Sequence, residues 1–346
     1  MTGLTRRLPL LAAFPLGCLV NALSAGAASA HVKWFCAFDV AGQPRGLENV
    51  LCTDFEILFG LTLLGLMAGG LAEVTPVGDA MLRSFDRATT WLRENTESIF
   101  RAGTAFFFIS IWAVGGILLT PELKTTSTLI GALHLGIAAG MLSRRTMPFS
   151  AAGIFILFAV GISNYGVFHL ADYPVFLGVA TYLALTGLQK DVFGVRALDI
   201  VRWTAGITLM WASVEKWAYP EWSFPLFVDH PAMTLGFTPE FFMRSAGSVE
   251  FALAFALIWT PLVRRVSAVM LTAMFISAVA QFGKVDMIGH ALIVVVLLAI
   301  VADNGGKRVE ELRTSWMMPA AYASATALFL AIYYLGHAAL YGTSLT

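Results

Sequence analysis

Long apolar stretches alternate with short polar ones along nearly the whole chain. Each stretch is close to the length that an α-helix needs to cross the hydrocarbon core of a bilayer, about 20 residues. We therefore predict an all-α polytopic membrane helical bundle, with about ten transmembrane helices after an N-terminal signal peptide. The predicted spans are residues 54–74, 100–119, 127–143, 148–164, 172–188, 198–217, 244–260, 266–282, 287–302 and 318–341.

Composition agrees with a membrane location and excludes several other classes. Of the 346 residues, 58% are hydrophobic and only 13% are charged, whereas a soluble domain carries about 25% charged residues. An ordinary soluble enzyme and a disordered protein are therefore excluded. Lys plus Arg and Asp plus Glu both number 22, so no net charge attracts a polyanion. We expect the lipid bilayer as a partner, and no nucleic acid.

The N-terminus has the parts of a secretory signal peptide. Arg6 and Arg7 precede an apolar run, and small residues end at Ala28-Ser29-Ala30. Cleavage after residue 30 would leave His31 first, and an N-terminal histidine can chelate copper through its amine and imidazole. The alternatives are an uncleaved signal anchor and a histidine with no metal role.

Basic residues predict the orientation in the membrane. If the segment after the signal is outside, 14 Lys and Arg residues fall in inside segments and 6 in outside segments. This bias obeys the positive-inside rule and places the mature N- and C-termini in the periplasm, with the protein in the inner (cytoplasmic) membrane. Between the first two spans, residues 79–97 alternate basic and apolar side chains, which is typical of an amphipathic helix on the membrane surface.

Two cysteines flank the polar segment before the first span. In an oxidising compartment Cys36 and Cys52 would form a disulfide. The alternative is two unpaired thiols.

Two blocks of four spans resemble each other. Each opens with a basic residue, has an Arg-Arg pair after its second span, and has an aromatic-Gly pair at the end of its third, Tyr165-Gly166 and Phe282-Gly283. These similarities indicate two parallel four-helix repeats, although membrane blocks share such features without duplication. The predicted divisions are 1–30 signal peptide, 31–53 periplasmic segment, 54–98 first span with amphipathic helix, 99–190 block one, 191–303 block two and 304–346 C-terminal span.

Ionisable residues within spans are costly and by default indicate function. Most of them fall in the predicted outer half of the membrane, around block two. We predict an outward-facing polar site in which Lys216 pairs with Glu250, supported by Asp286, His290 and His337. The alternatives are residues solvated at the membrane interface and histidines that only pack between helices.

Aromatic residues cluster at the same level, in a proline-rich loop that follows the sixth span. They indicate either an interfacial aromatic belt or a lid over a flat apolar ligand such as a quinone. The candidate site residues are Lys216, Glu250 and His290 as catalytic groups, Trp217, Trp222, Asp286 and His337 as cofactor-binding groups, and His31 and His230 as weak metal candidates.

Block two resembles the DoxX/DoxD-like family of four-helix membrane proteins over about residues 196–303. The resemblance rests on Ala212-Ser213-Val214-Glu215-Lys216-Trp217 closing one helix, Gly247-Ser248-Val249-Glu250 opening the next, and Arg264-Arg265 beyond it. Lys216 and Glu250 occupy places where that family typically has a lysine and a glutamate. The resemblance implies association with quinone-linked redox systems rather than a defined reaction.

The leading hypothesis is therefore an integral membrane subunit of a quinone-linked redox system, with a periplasmic or membrane redox partner. In it Lys216 would hydrogen-bond a quinone oxygen or an anionic substrate, and Glu250 with His290 would exchange protons with it. Haem or copper is a less favoured cofactor. The alternatives are a transporter of small solutes or ions and a non-catalytic anchor or assembly factor.

Overall fold

Each of the ten predicted spans overlaps a helix of the computed structural model, which describes residues 32–191, 194–305 and 312–344. The predicted signal peptide and His31 lie outside the described residues. The long helices are α1 Thr53–Glu73, α2 Pro76–Ala88, α3 Thr96–Val114, α4 Thr128–Gly140, α5 Met147–Tyr165, α6 Pro174–Leu188, α7 Ala197–Ala218, α8 Pro239–Leu257, α9 Pro261–Ala302 and α10 Leu312–Tyr341. Short helical turns lie between them, at Val32–Trp34, Leu47–Val50, Thr90–Glu94, Arg144–Thr146, Val167–Leu170, Pro220–Ser223, Phe224–Asp229 and Pro231–Thr234.

Five helical stretches of the described chain are long and apolar enough to cross a membrane. Two further helices, α4 and α6, are apolar but shorter. The membrane class and the all-α fold therefore agree with the sequence prediction. The five stretches are Thr53–Glu73, Thr96–Val114, Arg144–Tyr165, Pro261–Ala302 and Met317–Tyr341.

Helix α9 spans 42 residues but folds back on itself at Gly283. The Nε of Arg265 donates to the Val301 carbonyl at 2.9 Å, whereas 36 residues of straight helix would separate them by roughly 54 Å. Gly283 has φ 69° and ψ −142°, a backbone region that is essentially open only to glycine. The two arms, 261–282 and 284–302, correspond to the two spans predicted there.

The second predicted span ends earlier than expected. Helix α3 stops at Val114 because Gly115 and Gly116 have φ of 76° and 66°. Residues 115–127 then form a non-helical loop, called here the buried hairpin, in which Ile117 pairs with Lys124 as an antiparallel bridge. Its leucines at 118, 119 and 123 are fully buried. Irregular backbone at this depth is tolerated when protein surrounds it.

The two four-helix blocks share local details. Gly166 and Gly283, which follow the third helix of each block, both have positive φ. In block one the Ser150 hydroxyl donates to the Ile137 carbonyl at 2.8 Å, and in block two the Ser267 hydroxyl donates to the Leu253 carbonyl at 2.5 Å. Each of these bonds joins the third helix of a block to the second. These parallels support a duplication, which stays a prediction.

Residues 33–50, called here the N-terminal segment, pack against one end of the bundle, which we call the covered end. The Arg45 amide donates to the Ala218 carbonyl at 2.9 Å, and Phe35 lies 5.0 Å from Phe282, measured between ring centroids. The Nε2 of His337, near the C-terminus, lies 2.8 Å from the Val40 carbonyl oxygen. The N-terminal segment and the C-terminal helix therefore meet at the same end of the bundle.

Cys36 and Cys52 are both free thiols. The predicted disulfide is therefore absent from the structure, and the segment is held by packing and hydrogen bonds instead.

At the opposite end, two fully buried arginines hold the arms of α9 together. Arg264 pairs with Asp303 at 3.1 Å, and Arg265 pairs with Asp86 of α2 at 2.8 Å. The predicted amphipathic stretch is helical, as α2 and the turn Thr90–Glu94, and it buries Leu82 while Trp91 stays 66% exposed. This end is thus closed by ion pairs and by α2.

Candidate functional site

The centre of the covered end contains a buried lysine between two carboxylates. Lys33 of the N-terminal segment pairs with Asp172 and, at 2.7 Å, with Glu215 of α7. The Lys33 and Asp172 side chains are 1% and 0% exposed. Burial alone would lower the pKa of Lys33, but the charges of Asp172 and Glu215 outweigh it, so the pKa lies above its ordinary value. The lysine therefore stays charged.

Beside this triad lies the ion pair that the sequence predicts. The Lys216 Nζ lies 2.6 Å from the Glu250 Oε2, and the two side chains are 11% and 5% exposed. Lys216 stands in the last turn of α7 and Glu250 in the middle of α8. The close packing of α7 on α8, where the Gly247 Cα approaches the ring of Trp217, brings the two charges together.

A second predicted pair lies on the facing arm of α9. The Nδ1 of His290 lies 3.1 Å from the Asp286 Oδ2, one helical turn away. The His290 ring lies between two aromatic rings, 4.7 Å from Trp34 and 4.5 Å from Phe275 between centroids. The aromatic contacts hold the imidazole in a fixed orientation.

Several of these groups line one cavity of about 70 Å³, whereas Lys33, Glu215 and Asp286 do not. Its polar lining comes from Lys216, Glu250, Asp172, His290 and Thr120. Asp172 Oδ1 and Thr120 Oγ1 are buried without a hydrogen-bond partner among the described residues. A water molecule needs roughly 10–15 Å³ of such volume and two or more polar partners. The cavity therefore has room for several water molecules.

Another carboxylate borders the cavity from the buried hairpin. Glu122 accepts a hydrogen bond from the Tyr173 hydroxyl, and Tyr173 lines the cavity. Burial raises the pKa of Glu122 from 4.5 to about 7, against the lowering effect of a backbone hydrogen bond and of the Lys33 charge. The carboxyl group of Glu122 therefore retains a proton at pH values where a solvated glutamate is ionised.

We expect Glu122→Gln to change how stability depends on pH. In the native protein Glu122 binds a proton up to about pH 7, whereas the unfolded chain releases it near pH 4.5. Wild-type stability should therefore fall, relative to the variant, as pH rises from 4.5 to 7. Over this pH range the free energy of unfolding of the wild type should fall by roughly 2–3 kcal/mol relative to that of the variant. This value is reduced because Glu122 is partly exposed.

Thermal unfolding of both proteins in the same lipid nanodiscs, at several pH values, measures this difference. Other titrating groups cancel in the comparison, because both proteins contain them. A melting-temperature difference that is constant between pH 4.5 and 7.5 would show that Glu122 ionises normally.

The remaining predicted site residues are placed differently. Trp222 lies over Lys33, with the Nζ 5.7 Å from the ring centroid. Trp217 packs against Phe251, and its Nε1 donates to the Arg244 carbonyl at 3.2 Å. Neither Trp217 nor His337 is among the residues that line the cavity; His337 instead lies 3.1 Å from the Tyr219 hydroxyl and bonds the N-terminal segment. Both join helices at the covered end.

Metal candidates are not supported by a ligand cluster. His230 lies in the loop after α7, with its ring 5.6 Å from that of Phe282. In the part of the chain that the structure describes, no group of three or more His, Cys, Asp or Glu side chains could hold a metal ion. His31 lies outside that part.

Sequence reasoning missed the role of Lys33 and Trp34. Both lie in the predicted periplasmic segment, residues 31–53, where a lysine is ordinarily solvated. A signal was present, because Lys33 is followed at once by Trp34 and Phe35. A lysine embedded among large aromatic residues is more consistent with a buried position than with a solvated loop.

No protein-family profile matches the chain, and no curated protein and no solved structure is significantly similar to it. The resemblance of block two to DoxX/DoxD-like proteins therefore stays a prediction from short motifs.

Proposed function

We propose that the protein is an integral membrane subunit of a quinone-linked redox system, and that the covered end, facing outward, exchanges protons for it. In this proposal ten helical segments cross the inner membrane, namely all the long helices except α2, with each arm of α9 counted separately. The observation that carries it is a pair of neighbouring buried ion-pair groups, Lys33 with Asp172 and Glu215, and Lys216 with Glu250. Asp172, Lys216 and Glu250 of these groups line one cavity.

The charge balance of this cluster favours proton storage. Two lysines pair with three buried carboxyl groups, those of Asp172, Glu215 and Glu250, and the buried carboxyl group of Asp286 pairs with His290. Uncompensated carboxylates in a low-dielectric interior are costly, so neighbouring carboxyl groups retain protons. Even with His290 charged, one carboxyl is in excess, and Glu122 adds another. The cluster is therefore a store of exchangeable protons next to a cavity with room for water.

The position of each residue at the cavity suggests its role in the proposed proton exchange. Lys216 holds Glu250 at the cavity wall and can hydrogen-bond an oxygen of a small anionic substrate. Glu250 and His290 line the same cavity and can pass a proton through its water. The aromatic residues Trp34 and Trp222 keep bulk water out from the covered end.

A site closed at one end favours proton exchange over solute transport. Alternating access needs both ends to open around the site. At the opposite end, Arg264 donates to the Asp303 and Gly305 carbonyls at 3.1 and 2.7 Å, and Arg265 bonds Val301. Opening that end would leave two buried arginines unpaired, which is strongly unfavourable.

The test uses infrared difference spectra of the protein in nanodiscs loaded with decylubiquinone, recorded as the quinone is reduced electrochemically. Wild-type protein should show carboxyl bands that change with the redox state, in addition to the bands of the quinone. Glu250→Gln should lose a large part of these bands. Glu240→Gln, in the first turn of the same helix and 47% exposed, should retain them.

Two results would contradict the proposal. One is a wild-type spectrum that contains only the quinone bands seen with empty nanodiscs. The other is uptake of a solute by liposomes containing the protein, with no response to quinone, which would favour the transporter.

A further inference from the structure

A second and larger cavity lies on the lipid side of the buried hairpin. It has a volume of about 440 Å³, within the size range of small-molecule sites, and lies between the covered ends of α3 and α4. Trp112, Gly116, Gly131 and His134 are among the residues that line it. The central cavity of about 70 Å³ is much smaller, so a substituted quinone ring fits the second cavity better than the first.

The surroundings of this cavity are apolar and face the membrane. Next to it, Trp112, Val114 and Leu129 are 45%, 59% and 78% exposed, which is consistent with contact to lipid chains. A ligand dissolved in the bilayer can therefore reach the cavity sideways. The rim carries four hydroxyl groups, those of Thr125, Thr126, Ser127 and Thr128.

His134 gives the cavity a hydrogen-bond acceptor, so the cavity favours a ligand with a hydrogen-bond donor. Its Nε2 lies 2.9 Å from the Leu118 carbonyl oxygen, and a carbonyl can only accept, so Nε2 carries the hydrogen. In the neutral imidazole Nδ1 is then an acceptor. His134 is 1% exposed, and its Nδ1 has no hydrogen-bond partner among the described residues. A buried acceptor of this kind is satisfied by a ligand that brings a hydroxyl donor.

The lack of charged residues in the lining of the cavity favours an uncharged ligand. The described residues that line the cavity include no Lys, Arg, Asp or Glu. A phospholipid headgroup would leave its phosphate without a cation among the residues that line the cavity, which is unfavourable. An uncharged amphiphile with a ring and a hydroxyl group meets every feature of the lining.

We infer that the cavity between α3 and α4 binds the ring of a membrane quinol, with a quinol hydroxyl donating to the Nδ1 of His134. This inference rests on the proposed function and gives the quinone its place. The buried hairpin would then separate the quinol from the proton store, because Gly116 faces the larger cavity and Thr120 the smaller one.

The first test fills the cavity. The Gly131 Cα faces Trp112, and an added Cβ would lie 3.4 Å from the Cδ1 of that ring, so the side chain of Gly131→Leu extends into the cavity. Gly136→Leu is the matched control on the same helix, because an added Cβ there meets nothing within 4 Å. We expect Gly131→Leu to weaken binding of decylubiquinol to protein-loaded nanodiscs at least tenfold, and Gly136→Leu to leave it unchanged. Empty nanodiscs of the same lipid correct for partitioning.

The second test changes the ligand and leaves the protein intact. The dimethyl ether of decylubiquinol keeps the ring and tail but has no hydroxyl donor. Because it leaves the buried Nδ1 unpaired, it should bind wild-type protein about tenfold more weakly than the quinol. Decanol, which has a hydroxyl but no ring, should not compete at equal concentration.

The outcomes separate this inference from the proposed function. Decylubiquinol that binds equally well to wild type and Gly131→Leu would overturn the cavity assignment while leaving a quinone-linked function intact. Equal binding of the dimethyl ether would overturn the role of His134. Absence of any quinol or quinone binding would overturn both proposals.

Discussion

Lys33→Met should be among the most destabilising single substitutions in this protein. The methionine fills a similar volume but leaves Asp172 and Glu215 facing each other in a buried site without their cation. Removing one partner of a buried ion pair typically costs 3–5 kcal/mol. We expect a large loss of melting temperature in nanodiscs and a low yield of folded protein.

Two further variants isolate the electrostatic cause. Lys284→Met removes an exposed lysine at the same end of the bundle and should leave the melting temperature nearly unchanged. Adding Asp172→Asn and Glu215→Gln to Lys33→Met removes the unpaired charges and should restore much of the stability. If Lys33→Met melts at the temperature of Lys284→Met, the lysine does not neutralise the two carboxylates.

Gly178→Val should disrupt the packing between the two four-helix blocks and lower the stability of the protein. Gly178 lies where α6 crosses α7, and an added Cβ would lie 1.8 Å from the Thr204 Oγ1 and 3.1 Å from the Val201 Cα. A threonine side chain can rotate, but the α7 backbone at Val201 cannot yield without moving the helix. Overpacking of this kind costs about 1–3 kcal/mol, occasionally more.

The matched control is Gly65→Val on α1, where an added Cβ meets nothing within 4 Å. The expected result is a clear drop in melting temperature for Gly178→Val and little change for Gly65→Val. Equal melting temperatures would mean that α6 and α7 are not in close contact at this position.

The helices could be predicted because each apolar stretch had a length set by the bilayer. Their ends were harder to predict, since they depend on single glycines. Gly115 and Gly116 end α3 five residues before the predicted end at residue 119, and Gly283 turns α9 back without a loop. Such positions depend on backbone conformation, which hydropathy does not report.

The candidate site could be predicted only in part, for a similar reason. Lys216 and Glu250 were found because charged residues inside apolar helices are conspicuous. Lys33 lies outside the apolar spans, and its burial depends on how the N-terminal segment folds over Asp172 and Glu215, which are distant in sequence. Long-range docking of a short segment leaves no periodic signal in the chain.

The most direct test of the central claim is the infrared spectrum of the resting Glu122→Gln protein in nanodiscs at pH 7. The substitution removes the carboxyl group with a pKa of about 7, so the remaining buried carboxyl groups are observed alone. The account predicts a carbonyl stretch from at least one protonated carboxyl, because three buried carboxyl groups share two lysines in the cluster. A spectrum in which every carboxyl group is ionised at that pH would contradict it.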